Sequence, residues 1–229
     1  MGDDRSRLIE TLAGVRALLL DMDGTLVDSD AAVVRAWRAW SGEYGVDPDA
    51  ALAIAHGVPA EQTVQRLRPQ LADRELAAAA ARQLELQYDD LGDVLAAPGA
   101  AQLLELLAEF DVPWAVVTSA DRRLARARLR AATITPSVVV TVEDVPDGKP
   151  DPAGYRLAAD RLGVPIDRCL VVEDAAPGVE SGRRAGALTA GLRGLVGDVS
   201  VTDLAELARL LGDAWRRAPT AVPNERSDT

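Results

Sequence analysis

The sequence predicts an α/β protein: a Rossmann-like, doubly wound parallel sheet core with an all-helical cap inserted into it. Three observations carry this expectation. The runs ALLL at 17–20, WAVVT at 114–118, SVVVT at 137–141 and CLVVE at 169–173 are short and continuously apolar, as strands covered on both faces are. Helical stretches separate the later runs, which is the rhythm of a parallel sheet with crossover helices. The chain between the first run and the second is too long for one crossover, and it shows helical periodicity with no strand signal.

In chain order, the first run ends in the polar segment DMDGTLVDS at 21–29. Residues 29–97 read as the cap. Val33, Trp37, Trp40 and Tyr44 share one helical face, and ELAAAAARQLELQYDDL continues in strong helix formers. The core is left at about Asp28–Ser29 and re-entered at Pro98–Gly99. PGAAQLLELLAEF at 98–110 fits the helix before the second strand. DRRLARARLRA at 121–131 and PAGYRLAADRL at 152–162 fit crossover helices, Pro152 being suited to a first turn. VTDLAELARLLGDAW is a further amphipathic helix, and the polar stretch after it reads as a disordered tail. The expected domains are a core of 1–28 and 98–216, a cap of 29–97 and a tail of 217–229.

Composition sets bounds. A chain of 229 residues that is 48% hydrophobic can bury a core and a smaller insert. A formal charge of −11 repels phosphate backbones and anionic lipid, so neither nucleic acid nor membrane is an expected partner. No apolar run resembles an export signal or a span, so a cytoplasmic protein is expected, as a monomer or weak homodimer. The single cysteine, Cys169, sits in an apolar run and reads as a small buried hydrophobe.

Polar clusters follow each apolar run: DMDGTLVDS, TSAD at 118–121, DGKPD at 147–151 slightly beyond its strand, and ED at 173–174. In open α/β sheets the carboxyl ends of the strands share one crevice. Asp21, Asp23, Glu173 and Asp174 would then converge, which is costly without a cation, and a hard divalent ion such as Mg2+ suits oxygen ligands. The hydroxyls of Thr118 and Ser119 and the ammonium of Lys149 supply donors for a phosphoryl group. Lys149 is the only lysine in the chain; every other strongly basic side chain is arginine. A carboxylate, a cation, hydroxyls and an ammonium around one crevice describe phosphoryl transfer through an aspartyl-phosphate.

DMDGTLVDS, VVTS, the lysine of DGKPDP and VVEDAAPGV, in this order, resemble the four signature motifs of the haloacid dehalogenase superfamily of phosphohydrolases, over about Ala17 to Leu192. AWRAWSGEYGVDP followed by AHGVPAEQTVQRLRP is similar to the helical cap of the branch acting on small sugars and polyols, such as 2-deoxyglucose-6-phosphate and glycerol-phosphate phosphatases. The resemblance implies an Mg2+-dependent phosphatase of sugar or polyol phosphates. In it Asp21 is the nucleophile and Asp23 the acid and base. Asp21, Asp174 and the Asp23 carbonyl bind metal, with Glu173 supporting from behind. Thr118, Ser119 and Lys149 hold the phosphoryl oxygens, and His56 and Gly57 begin the cap loop that faces the substrate. Ala120 stands where a glycine often follows the Thr-Ser pair.

Three other readings share parts of this pattern. A phosphomutase such as β-phosphoglucomutase has the same core and cap type, and the motifs do not separate it. A dehalogenase needs neither the metal nor the second acid, so Asp23 and Asp174 argue against it. A receiver-like signalling domain would lack the cap, and the presence of every motif residue argues against a non-catalytic phosphate-binding member.

Overall fold

The computed structural model describes residues 2–55, 58–88 and 90–217, with side chains from Leu8 onward. The chain runs α1 (Gly2–Ala13), β1 (Ala17–Leu20), β2 (Val27–Asp28), α2 (Asp30–Tyr44), α3 (Pro48–Ala55), α4 (Ala60–Leu67), α5 (Asp73–Tyr88) and β3 (Leu95–Ala96). It continues through α6 (Ala100–Glu109), β4 (Trp114–Val117), α7 (Arg122–Ala131), β5 (Val138–Val140), α8 (Ala153–Leu162), β6 (Cys169–Glu173), α9 (Ala176–Ala185), β7 (Leu188–Gly191), β8 (Val199–Ser200) and α10 (Leu204–Arg217).

Six strands form one parallel sheet in the order β5-β4-β1-β6-β7-β8. The doubly wound core is therefore present, and its faces explain the apolar runs. Ala17, Leu19, Ala115, Val117, Cys169 and Val171 point to a cluster closed by Tyr155 and Ala158 of α8. Their alternate neighbours Leu18, Leu20, Val116, Leu170 and Val172 join a larger cluster containing α6 and α10 residues. Both sides are buried, so the period-2 alternation leaves no polar trace in the sequence.

The sheet order places β1 between β4 and β6. Leu20 pairs with Val116 on one side and Val172 on the other, so the next residues, Asp21, Val117 and Glu173, emerge side by side. This register brings the sequence-separated motifs together.

Between β2 and β3 the chain makes four helices, α2 to α5, and returns through an antiparallel pairing of Val27 with Ala96 and Asp28 with Leu95. Trp37, Trp40, Ala51, Val64 and Ala79 form a core of their own in this insert. The Trp40 indole N–H donates to the Ala79 carbonyl at 2.9 Å, and its ring stacks on Tyr44 at 4.7 Å.

Some elements carry no sequence expectation. Helix α1 packs Ile9 and Leu12 into the larger cluster beside Leu204, Leu207 and Trp215 of α10; only a few apolar positions stand among its charges. Strands β2, β3, β7 and β8 are short or contain glycine and polar residues, so propensity does not mark them. The expected tail lies outside the described residues apart from Arg217, which closes α10. Among the described residues no helix is long and apolar enough to cross a membrane.

Candidate active site

Asp21 leaves the end of β1 and is buried, 6% exposed. The chain then turns sharply: the Gly24 N–H donates to the Val27 carbonyl at 2.8 Å, and the Leu26 and Val27 N–H groups both reach back to the Met22 carbonyl. Gly24 has φ +82°, and a Cβ there would lie 2.1 Å from Asp174 Oδ2. Glycine is thus needed twice, for its left-handed backbone and to let the loop close on Asp174. The Thr25 hydroxyl donates to Asp174 Oδ1 at 3.3 Å from the same loop.

Lys149 reaches this point from the loop after β5 and is 7% exposed. Its ammonium lies 2.5 Å from Asp21 Oδ1 and 2.6 Å from Glu173 Oε1, and it donates to the Val117 carbonyl at 3.0 Å. Three donors thus converge on partners from β1, β4 and β6, all from one nitrogen, a geometry open to an ammonium and not to a planar guanidinium. Burial alone would lower the lysine's pKa, but Asp21 and Glu173 outweigh it and hold the group charged. Burial and then Glu173 push the Asp21 carboxyl well above the usual carboxylate range, with Lys149 opposing them.

The Glu173 carboxylate is 1% exposed. Besides Lys149 it accepts from the Tyr155 hydroxyl at 2.6 Å and, at its other oxygen, from the Ala175 N–H at 3.3 Å. Burial, reinforced by Glu173, raises the Tyr155 pKa well above normal, so it stays a donor. A Cβ on Gly178 would stand 1.8 Å from Glu173 Oε1; a hydrogen atom at that position lets α9 sit over the carboxylate.

Carboxylate oxygens of Asp21, Glu173 and Asp174 lie within 4.8 Å of one another. This all-oxygen set, with more negative than positive charge, suits a hard divalent cation. Arg193, with Nε 3.5 Å from Asp174 and Nη1 2.7 Å from Asp30, donates to the Gly24 carbonyl at 3.2 Å and ties the loop to the start of α2.

Asp23 sits across a cavity of about 80 Å3 lined from the core by Asp21, Asp23, Thr118, Ser119 and Arg128. From the insert the lining includes Trp37, Val58, Gln83 and Gln87. Asp23 Oδ1 accepts from the Ser29 hydroxyl at 2.7 Å, and Oδ2 is 2.6 Å from Arg128 Nη1. Thr118 Oγ1 accepts from the Ala120 N–H at 3.0 Å, fixing the turn before α7, which Asp121 caps by accepting from the Leu124 N–H. His56 and Gly57 lie outside the described residues; Val58 and Ala60 beside them border the cavity.

Residues 15–186 match the family described as haloacid dehalogenase-like hydrolase. The chain belongs to this family. Among haloacid dehalogenase-like hydrolases it is 41% identical to hexitol phosphatase A of Escherichia coli over 172 residues, 75% of this chain and 80% of that one. It is 33% identical to 2-deoxyglucose-6-phosphate phosphatase 1 of Saccharomyces cerevisiae over 192 residues, 76% and 78% of the two chains. A crystal structure of a hydrolase from Pseudomonas syringae superposes with a TM-score of 0.79 at 26% identity, covering 86% of this chain and 98% of that one.

Two side chains of this haloacid dehalogenase-like hydrolase escaped the sequence reading. Arg128 is 2% exposed and pairs with Asp23; the signal was an arginine sharing the apolar face of α7 with Leu124, Ala125 and Leu129. Arg193 had no comparable signal, because its φ of +54° and its place against Asp174 arise only in the folded loop.

Proposed function

We propose that this chain is a phosphatase of small sugar or polyol phosphate monoesters that works through an aspartyl-phosphate on Asp21, in the cytoplasm. One observation carries the reading: two carboxylates two residues apart border one cavity in different settings. Asp21 is buried and paired with Lys149, and Asp23 is held by Ser29 and Arg128. The names of the relatives, a hexitol phosphatase and a 2-deoxyglucose-6-phosphate phosphatase, support the substrate class.

In the first step an Asp21 oxygen attacks phosphorus. The P–O bond to the alcohol breaks as the Asp21–phosphorus bond forms, and Asp23 delivers a proton to the leaving oxygen. In the second step water attacks the phosphorus, Asp23 takes its proton, and phosphate leaves with the Asp21 carboxylate restored. Lys149 opposes the burial that raises the Asp21 carboxyl and so favours its ionised, attacking form. Thr118 and Ser119 border the same cavity and would receive the phosphoryl oxygens. Asp21, Asp174 and the Asp23 carbonyl would hold Mg2+, which when bound offsets charge on the phosphoryl group. His56 and Gly57 are proposed as cap residues that select the alcohol.

The test is phosphate release measured as kcat/KM over a panel of phosphorylated sugars and polyols, with and without a sugar bisphosphate. Wild type should turn over without the bisphosphate, Asp21→Asn should lose turnover while keeping its circular dichroism spectrum, and a chelator should stop the reaction. Isomerised product that needs the bisphosphate would replace this reading with a phosphomutase.

A further inference from the structure

The cavity holds a run of polar contacts that the phosphoryl chemistry does not use. Arg128 Nη2 donates to Gln87 Oε1 at 2.5 Å, and Gln87 Nε2 donates to Gln83 Oε1 at 2.6 Å. Gln83 is fully buried and Arg128 nearly so. Gln83 Nε2 and Arg128 Nε have no hydrogen-bond acceptor among the described residues, and both side chains line the cavity.

The direction of this ladder is fixed from one end. A guanidinium only donates, so Gln87 must turn its carbonyl oxygen toward Arg128. Gln87 then offers its amide nitrogen to Gln83, which must answer with its oxygen. The Gln83 NH2 is left as a buried donor, and the amide assignments follow from the network. A buried donor with nothing to accept from it costs about 1–3 kcal/mol, and retaining one in a cavity lining points to a ligand that accepts.

Its position says which part of the ligand. In the reading proposed above, on which this inference rests, Asp23 faces the leaving oxygen of the ester. Arg128 touches Asp23 at 2.6 Å, so the ladder starts beside the group that faces the leaving oxygen and continues on α5 of the insert, the side on which the alcohol would lie. Trp37, Val58 and Leu84 supply apolar wall alongside it. A chain of CHOH groups fits such a lining: carbon against the wall, oxygen against the donor.

We propose that Gln83, oriented through Gln87 by Arg128, is a specificity-determining residue that donates to a hydroxyl oxygen of a polyhydroxylated leaving group. Alkyl and aryl esters lack that oxygen and leave the donor unpaired in the complex. A site built to bond a hydroxyl discriminates strongly against a substrate without one.

The experiment compares a hexitol 6-phosphate with phenyl phosphate in wild type and Gln83→Leu, with thermal melts on both proteins. The ratio of kcat/KM for hexitol phosphate over phenyl phosphate should fall about tenfold or more in the variant. In parallel, deoxy analogues of the hexitol phosphate are run on wild type alone, which needs no variant to fold; removing one of the hydroxyls nearest the ester should lower kcat/KM by a similar factor. Good turnover of the hexitol phosphate with an unchanged ratio in Gln83→Leu, or with every deoxy analogue as active as the parent, overturns the subsite and leaves the phosphatase reading standing. Failure of wild type to release phosphate from any sugar or polyol phosphate overturns the phosphatase reading and the subsite with it.

Discussion

Replacing Lys149 by methionine removes one charge and little volume from a place that is 7% exposed. The ammonium is the shared partner of Asp21 at 2.5 Å and Glu173 at 2.6 Å, with Asp174 in the same cluster. Removing one partner of a buried ion pair typically costs about 3–5 kcal/mol, because the other is left uncompensated. Against a total stability of roughly 5–15 kcal/mol, the variant folds with a large share of its margin gone. The deficit should also depend on pH. The Asp21 carboxyl already lies well above the usual range, held down only by Lys149; without the lysine it rises further. A carboxyl whose folded pKa exceeds its unfolded one, ordinarily about 4, loses stability as pH rises from the unfolded value to the folded one. The lysine's own folded pKa is raised, so its contribution is fully present below its unfolded value of about 10.4 and does not vary between pH 5 and 8. Urea denaturation followed by tryptophan fluorescence, in chelator, should therefore show the full deficit at pH 8 and a smaller one at pH 5. Equal stability of the two proteins at pH 8, or a larger deficit at pH 5, would refute the charge argument.

Two further outcomes follow from particular contacts. Asp144 accepts from the Thr141 N–H at 2.9 Å and hydroxyl at 2.8 Å and pairs with Arg161 at 3.0 Å, and these bonds, the backbone one foremost, hold its carboxyl down to about 2. Its stabilisation is present above the unfolded pKa near 4 and is lost as pH falls toward 2, so Asp144→Asn should cost about 1–2 kcal/mol at pH 7 and converge with wild type near pH 2; parallel unfolding curves at both pH values disagree with this. Gly178→Ala would force a Cβ to within 1.8 Å of Glu173 Oε1, an overpacking of about 1–3 kcal/mol that should lower Tm by roughly 3–10 °C in calorimetry, and a Tm unchanged within a degree would mean α9 yields freely.

Much of the core was legible along the chain because its physics is local. Strands β1, β4, β5 and β6 are apolar on both faces, and helices α6, α7, α8 and α10 show their period. The motif residues Asp21, Asp23, Thr118, Ser119, Glu173 and Asp174 follow strand ends, where a parallel sheet collects its loops. Arg128 was present as a charge on an apolar helical face and went unread, since an arginine in an arginine-rich helix resembles solvated surface. Strands β2 and β3 stayed hidden because two residues each carry no periodicity, and their pairing depends on the whole insert returning to its start.

By itself the sequence determined the class of fold, the family motifs and the chemistry open to them, since apolar periodicity and residue type act at short range. Only the tertiary structure decided that Lys149 spends all three of its protons on Asp21, Glu173 and Val117. It alone decided, too, that Arg128 turns Gln87 and Gln83 into a directed row of donors. The Arg128–Gln87 and Lys149–Asp21 bonds join residues 41 and 128 positions apart, and a hydrogen bond across such a distance exists only once the sheet register and the packing of α5 on α7 have brought its two ends together.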